Sequence, residues 1–284
     1  MSESRKPPHS ARVLSTWVDV YARDRGLAPK RVRDWISYMV IGGRLEEVSN
    51  SSAGARFTIK GAVALEMRLP DRARATKDID LVLDGADDDD LAAVLRKALR
   101  DNYQDFSFRV KGEPYVMPNN AARVEVAMDY RGRSWSTVQV DLSRQEGGAT
   151  EVELVDALEL ESFGLSTPSP LPCLSLRYHI AQKIHGMTQP SPEEDASNER
   201  FRDLADVLLL RDLVEDLPAV WAACVEVFAF RGTHGWPPAL EPPAFWEELY
   251  AELAAGLELA EKRLEEAVRE ARAFIEAIDA AGAQ

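Results

Sequence analysis

The sequence predicts an α/β (α+β) fold, in which a mixed β-sheet flanked by helices is followed by a mostly helical C-terminal half. Three observations predict it. Short segments with strand-like alternation lie between residues 57 and 154, interspersed with helical periodicity. From about Pro172 onward, apolar residues recur mostly at helical spacing. A hydrophobic fraction of 45% over 284 residues suffices for the core of one large domain or two small ones.

Composition shifts divide the chain into three segments. We expect an N-terminal helical segment over residues 1–53 that packs on the core, a core over residues 54–160, and a C-terminal helical domain over residues 161–284. The core is predicted to contain strand 57–59, helix 61–68, strand 79–83, helix 87–100, edge strand 106–110, a hairpin of strands 122–130 and 134–142, and strand 151–154. The C-terminal domain is predicted to contain helices 174–187, 199–212, 219–231 and 244–280.

Two helices are predicted in the N-terminal segment. Ser10 is a candidate N-cap for a helix that runs to about Arg25. A second helix begins near Pro29, and the pair Gly42 and Gly43 is expected to interrupt it. A polar loop over residues 49–54 follows.

The net charge of −14 argues against a generic basic coat for nucleic acid or an anionic membrane. Most of the excess acid lies in residues 244–284 and in a run at residues 84–90, whereas residues 54–81 have six basic and four acidic side chains. We therefore expect a confined basic cleft, formed by Lys60, Arg72, Arg74, Lys77 and Lys183. Two cysteines and the lack of an apolar signal or span predict a cytoplasmic protein without a membrane partner.

A pair of carboxylates is the first candidate site. Asp78 and Asp80 are two residues apart on a predicted strand, so both project from the same face. Two such acids repel unless a cation lies between them, and Mg²⁺ commonly takes one or two carboxylates. Asp141 ends a neighbouring predicted strand and is the candidate third ligand, with Glu125 and Asp129 as competitors. An Asp-x-Asp pair alone is more often an ordinary solvated strand end.

A glycine turn precedes the carboxylate pair. Lys60 and Gly61 close a strand and open a helix, where backbone N–H groups can bind phosphate oxygens. Arg72, Arg74 and Lys77 add positive charge to the loop that follows. The order strand, glycine, helix, basic loop and Asp-x-Asp strand is much more specific than any of its parts.

A second group of charged residues lies on two predicted C-terminal helices. Lys183 is on the first helix, and Arg200, Asp203 and Asp206 are spaced i, i+3 and i+6 on the second. A lysine of one helix that meets an aspartate of the next is also an ordinary ion pair, and in isolation that is the default interpretation.

Four motifs in this order resemble the AbiEii/AbiGii toxin family, which includes the MenT-like toxins of the DNA polymerase β-like nucleotidyltransferase superfamily. The motifs are Lys60-Gly61-Ala62 with Ala64-Leu65, Arg74-x-Thr76-x-Asp78-Ile79-Asp80-Leu81, Gln182-Lys183-Ile184-His185-Gly186, and Arg200-Phe201-Arg202-Asp203-Leu204-x-Asp206. The resemblance implies a nucleotidyltransferase core. One departure is Ala62, which offers no hydroxyl to a triphosphate but retains its backbone N–H.

The resemblance also implies roles for individual residues. Asp78, Asp80 and, if placed correctly, Asp141 would hold Mg²⁺ or Mn²⁺. Lys183 would contact nucleotide phosphates, and Asp203 or Asp206 would be a further essential acid. The residues expected to bind the nucleotide are Lys60, Gly61, Ala62, Arg74, Thr76, Lys77, Lys183 and Asp206.

The implied function is that of a toxin of a toxin–antitoxin or abortive-infection system, acting as a monomer and paired with a cognate antitoxin. It would transfer nucleotides from an NTP to the 3′ acceptor end of tRNA and thereby block translation. Phe57, Tyr130 and Trp135 are candidates for stacking on the unstacked 3′ bases. The alternatives are a nucleotidyltransferase that modifies a protein or small-molecule hydroxyl, and a non-catalytic remnant that binds antitoxin or RNA.

Overall fold

The computed structural model describes residues 5–50, 56–70, 72–84, 90–117, 121–147, 149, 151–190 and 198–283. The chain forms two compact units. The first consists of Met1–Pro70, Ala75–Gln145 and Leu154–Cys173, and the second of Asp71–Arg74, Glu146–Glu153 and Leu174–Gln284. This partition differs from the three predicted segments, 1–53, 54–160 and 161–284. The domain boundaries at these positions therefore stay a prediction. The predicted loop at residues 49–54 and the acidic residues Asp87 to Asp89 lie largely or wholly outside the described residues.

A mixed sheet, with seven strands among the described residues, confirms the predicted α/β fold class. Its strands are β1 (Arg56–Lys60), β2 (Asp78–Asp84), β3 (Phe106–Val116), β4 (Ala122–Tyr130), β5 (Arg133–Arg144), β6 (Val152–Val155) and β7 (Leu171–Leu174). Their order is β3-β4-β5-β2-β1-β7-β6. β2 pairs antiparallel with β1 and parallel with β5, while β1 pairs parallel with β7. Most strands were predicted with shorter bounds, and β7 was missed because its four residues include a proline and lie just before a helix.

The α-helices described in the first unit are α1 (Ala11–Asp24), α2 (Pro29–Ser49), α3 (Gly61–Arg68) and α4 (Leu91–Ala98). The predicted cap of α1 is confirmed, because Ser10 Oγ accepts a hydrogen bond of 3.3 Å from the N–H of Val13. Leu14 and Val18 on the same helix are fully buried in the core.

The prediction that Gly42 and Gly43 interrupt the second helix is wrong, because α2 continues through both to Ser49. Both glycines are buried, and they let the helix pack closely against its neighbours. A Cβ on Gly42 would lie 2.7 Å from Leu171 Cδ1, and one on Gly43 would lie 2.5 Å from the Tyr103 hydroxyl. Their small size therefore serves helix packing, which local sequence reasoning does not detect.

We predict that Gly42→Val lowers the free energy of unfolding by about 2 kcal/mol, because overpacking a core typically costs about 1–3 kcal/mol. Leu171 is fully buried and has little room to move aside. Gly256→Val is the matched control, since Gly256 is a helical glycine with nothing within 4 Å of its would-be Cβ. In thermal denaturation, the melting temperature should fall clearly for Gly42→Val and change little for Gly256→Val. Equal melting temperatures of the two variants would contradict the packing role of Gly42.

The proposed stacking role of three aromatic residues is also wrong. Phe57, Tyr130 and Trp135 are 3%, 0% and 5% exposed, so their faces are unavailable to a nucleic-acid base. Tyr130 and Trp135 instead pack on Phe106, at ring-centroid distances of 4.8 and 6.0 Å. The alternating positions of these aromatic residues along their strands indicate the face of the sheet that packs on the core.

The second unit contains the helices α5 (Leu176–Thr188), α6 (Phe201–Leu210), α7 (Leu217–Arg231), α8 (Trp246–Gly256) and α9 (Leu264–Gly282). The single tail helix predicted over residues 244–280 is therefore wrong. The chain turns after Gly256, where Glu258 has a positive φ of 53°. No helix among the described residues is long and apolar enough to cross a membrane.

Candidate active site

The first cluster lies on the polar face of the sheet, where β2 alternates as predicted. Ile79 is fully buried, while Asp78 and Asp80 on either side of it are half-buried. Residues paired directly across neighbouring strands place their side chains close together. The pairing register therefore determines which charged groups surround these two carboxylates.

A row of four charged residues crosses the sheet at Asp80. Lys60 on β1 pairs with Asp80, Asp80 pairs with Asp141 on β5, and Asp141 pairs with Arg123 on β4. The row thus has two carboxylates in its centre and one cation at each end. The sequence predicted that a strand next to β2 brings Asp141 beside the pair, and the structure confirms this placement.

The competing acids on β4 are placed differently. Glu125 pairs with Gln139 on β5, which in turn pairs with Asp78, so one residue separates the two acids along the row. Glu125 is exposed and lies 3.6 Å from Lys111 in an ion pair. Asp129 lies beside a register shift farther along β4. Asp141 is the acid in direct register with Asp80, although its role as a ligand stays a prediction.

Gly61 forms the turn between β1 and α3. Its φ of +64° is in the left-handed region that favours glycine, and a Cβ there would lie 2.1 Å from Asp80 Oδ2. Only glycine therefore lets the Asp80 carboxylate lie against the start of this helix. No side chain caps α3, and its first turn contains no acid. Ala62, the next residue, is buried.

Asp78 is held by the segment that precedes β2. The hydroxyl of Thr76 donates a hydrogen bond of 2.8 Å to Asp78 Oδ1. The backbone carbonyl of Thr76 in turn accepts a 3.2 Å hydrogen bond from the Tyr38 hydroxyl on α2. Burial raises the pKa of Tyr38, as do the charges of Asp34 and Asp78, so this hydroxyl stays a donor. Tyr38 was not identified from the sequence, because it reads as one more aromatic residue on a helix.

Asp141 is engaged by Arg123. The guanidinium donates Nε to Oδ1 at 2.8 Å and Nη2 to Oδ2 at 2.7 Å, a bidentate contact. The hydrogen bond to Asp141 raises the pKa of Arg123, and the charges of Asp78 and Asp80 act in the same direction. Arg123 was also not identified from the sequence, because an arginine on a strand is by itself no sign of a metal site.

The carboxylates of this face fit a divalent cation in number and chemistry. Mg²⁺ prefers oxygen ligands and commonly binds through one or two carboxylates. Asp78 and Asp80 supply two from one strand face. Across the part of the chain that the structure describes, no three acidic, histidine or cysteine side chains are grouped as around a metal ion. Both oxygens of the third carboxylate, Asp141, are bound by Arg123 instead.

The second cluster is buried in the second unit. The Lys183 ammonium lies 2.8 Å from Asp203 Oδ1 and 2.7 Å from Asp206 Oδ2. Arg74 binds Asp206 through two hydrogen bonds of 3.2 and 3.1 Å, and Arg200 binds Asp203 at 2.9 Å. Three cations and two carboxylates therefore form one network, so the predicted lysine–aspartate pairing is present with both candidate acids.

The electrostatics of this network follow from burial and pairing. Burial alone raises the pKa of Asp203, but the charges of Lys183 and Arg200 outweigh it and lower that pKa to about 2. Burial lowers the pKa of Lys183, whereas the two carboxylates raise it further, and the net direction is upward. Both groups are therefore charged at neutral pH.

The remaining predicted residues are more peripheral. Lys77 is exposed, and Arg72 lies 3.6 Å from Asp212 in an exposed ion pair. Because Arg74 and Lys183 also contact carboxylates, acids offset much of the positive charge that the sequence predicted at these positions.

Comparison with known proteins gives a match over most of the chain. The profile of the AbiEii family, described as the nucleotidyl transferase AbiEii toxin of the type IV toxin–antitoxin system, matches residues 44–280. In structure the chain is similar to MenT4, the nucleotidyltransferase toxin Rv2826c from Mycobacterium tuberculosis H37Rv. The TM-score is 0.55 at 17% identity, over 94% of this chain and 98% of that chain.

Other solved structures are more distant. An antigenic nucleotidyltransferase-like protein from Paracoccidioides brasiliensis has a TM-score of 0.40 and 15% identity, over 78% of this chain and 90% of that one. The antibiotic-resistance factor ANT(2'')-Ia has a TM-score of 0.39 and 15% identity, over 69% and 92%. No curated protein matches the sequence. Because the family profile covers far more than half of the sequence, the chain belongs to the AbiEii family of nucleotidyl transferase toxins of type IV toxin–antitoxin systems.

Proposed function

We propose that this toxin transfers a nucleotide from an NTP to the 3′-hydroxyl at the acceptor end of tRNA, with Mg²⁺ as its cofactor. The observation that carries the proposal is the paired placement of Asp78 and Asp80 on one strand face, with Gly61 against the Asp80 carboxylate. The choice of tRNA rests on the resemblance of the four motifs to MenT-like members of the family. The type IV system to which the family belongs supplies the antitoxin partner.

In the proposed reaction the acceptor oxygen forms a bond to the α-phosphorus while the bond from that phosphorus to the β-phosphate oxygen breaks. Pyrophosphate leaves, and the proton of the acceptor hydroxyl passes to water. Asp78 and Asp80 would hold the Mg²⁺, which would supply positive charge to stabilise the transition state. The N–H groups at the start of α3 and the side chain of Lys60, which pairs with Asp80 across the strands, would bind phosphate oxygens.

Lys183 is proposed to contact the nucleotide phosphates, which would compete with its two carboxylate partners for the ammonium group. Asp203 is the replaceable partner, because its side chain is 12% exposed whereas that of Asp206 is fully buried. Asp206 is also bound by both hydrogen bonds of Arg74. We therefore propose Asp203 as the further essential acid and Asp206 as the residue that positions Arg74 and Lys183.

Labelled nucleotides test the function. The purified protein is incubated with each of the four α-³²P-labelled NTPs and either tRNA or total cell protein, and tRNA 3′ ends are sequenced after brief expression. We expect label and extra nucleotides at the tRNA 3′ end. Label that enters protein, and never RNA, would overturn the tRNA acceptor but leave nucleotidyl transfer intact. A protein that incorporates no label into either would support the non-catalytic alternative.

Thr76→Val is expected to reduce the rate of transfer by about tenfold, because a hydrogen bond to a charged group contributes about 1.5–3 kcal/mol and part of it orients Asp78. Thr76→Ser retains the hydroxyl and should stay close to the parent rate. Tyr38→Phe removes the donor to the Thr76 carbonyl and should give a smaller loss. The measurement is kcat/KM for NTP beside a melting curve; equal rates for the Val and Ser variants would contradict this role of Thr76.

A further inference from the structure

Among the described residues, Arg123 is the one cation that contacts both carboxylate oxygens of Asp141. It lies on β4, which borders β5 on the side opposite to β2. The side chain of Asp141 is 13% exposed and that of Arg123 is 40% exposed. The carboxylate is thus mostly enclosed while the guanidinium still reaches solvent. The contact is short and bidentate, at 2.7 and 2.8 Å, and its cationic partner is the more exposed of the two.

The charge of this row explains why a cation is needed there. Asp78, Asp80 and Asp141 place three negative charges on adjacent positions of two paired strands. Without a neutralising group, three such carboxylates repel one another. Lys60 is opposite Asp80 on one side and Arg123 is opposite Asp141 on the other, so each end of the row has its own counterion.

We propose that Arg123 is a positioning residue that occupies Asp141 in place of a metal ion, so that Asp141 becomes a ligand only when Arg123 is displaced. This inference rests on the proposed function, because it assumes that Asp78 and Asp80 hold a divalent cation. Asp78 and Asp80 then form the resident site, and Arg123 limits the contribution of the third carboxylate. A polyanionic substrate such as a triphosphate is the natural competitor for the released guanidinium, since arginine binds phosphate in the same bidentate manner.

The consequence is opposite to that expected for an arginine that merely supports the fold. Removing Arg123 frees both oxygens of Asp141 and also removes a positive charge that repels a metal ion. Metal affinity in the absence of nucleotide should therefore rise. A general change in charge would raise affinity too, but that effect does not require Asp141, so a double-variant comparison separates the two causes.

Titration of the nucleotide-free protein with Mn²⁺, followed by the electron paramagnetic resonance signal of the free ion, measures this affinity directly. We expect Arg123→Gln to bind Mn²⁺ about tenfold more tightly than the parent, the scale of one lost charge-assisted contact. In an Asp141→Asn background, the same substitution should change the affinity by less than about twofold. Arg109→Gln removes an exposed arginine on β3 and serves as the charge-matched control. Arg123→Lys keeps the charge without the bidentate contact and should fall between the parent and Arg123→Gln.

Several results would overturn the inference. Unchanged or weaker Mn²⁺ binding by a folded Arg123→Gln protein would do so, as would a gain that persists with Asp141→Asn or appears equally with Arg109→Gln. Asp80→Asn distinguishes this failure from that of the proposed function. If Asp80→Asn binds Mn²⁺ as tightly as the parent, the metal site itself is wrong and both proposals fall. If Asp80→Asn loses binding while Arg123→Gln changes nothing, only the role of Arg123 is wrong.

Discussion

Asp78→Asn and Asp80→Asn proteins are expected to lose nucleotidyl transfer by at least about a thousandfold and to lose their toxicity in cells. A bound metal ion stabilises transition-state charge by several kcal/mol, and each 1.36 kcal/mol changes the rate about tenfold. An asparagine retains the size of the side chain but removes the charge that holds the cation. The measurement is the rate of transfer from a labelled NTP, beside cell growth after induced expression.

The stability of these variants should move little, which separates a catalytic from a structural role. Removing one of two nearby carboxylates relieves repulsion, so the melting temperature should stay level or rise slightly. The Asp78→Asn amide oxygen still accepts the hydrogen bond of Thr76. Asp84→Asn is the matched control, because Asp84 is an exposed aspartate at the far end of the same strand. Full toxicity of Asp78→Asn, or equal losses for Asp84→Asn, would contradict the proposed site.

The carboxylate site could be predicted from the sequence because its determinants are local. The period of two along β2 places Asp78 and Asp80 on one face. The glycine at position 61 is likewise a local signal, since a left-handed turn before a helix favours it. The position of Asp141 beside Asp80 depends instead on the parallel pairing of β2 with β5, which are distant in sequence.

The missed features depend on contacts that are distant in sequence. The continuity of α2 through Gly42 depends on the position of Leu171, some 130 residues later in the chain. The role of Arg123 depends on its pairing with Asp141 across the hairpin, and a pattern of alternation does not say which opposite charges meet. The contact of Lys183 with both Asp203 and Asp206 depends on how two helices pack. From the sequence alone, the default interpretation was an ordinary ion pair.

Lys183→Met is expected to destabilise the protein by about 3 kcal/mol, because each of the two buried carboxylates loses a charge-assisted contact and keeps only its arginine partner, Arg200 or Arg74. Asp203 and Asp206 would remain side by side with their shared cation gone. At about 2–4 °C for each kcal/mol in a chain of this size, the melting temperature should fall by roughly 6 °C or more. Arg200→Gln is the matched control: its side chain is 56% exposed, so loss of its contact with Asp203 should cost at most about 1 kcal/mol.

The pH dependence of that loss identifies the charges responsible. The pKa of Asp203 is lowered to about 2, so its pairing stabilises the folded state fully above the ordinary aspartate range, near pH 4, and the effect disappears as the pH falls toward 2. Without Lys183, the largest charge that lowers the pKa of Asp203 is gone, and Arg200 alone opposes the effect of burial. The difference in melting temperature between parent and Lys183→Met should therefore be largest near neutral pH and shrink below about pH 4. At the alkaline end, the raised pKa of Lys183 keeps its contribution intact up to its ordinary range near pH 10.5, above which it declines. A difference that is constant from pH 3 to pH 8 would mean that lost packing, and not the lost ion pairs, destabilises the variant.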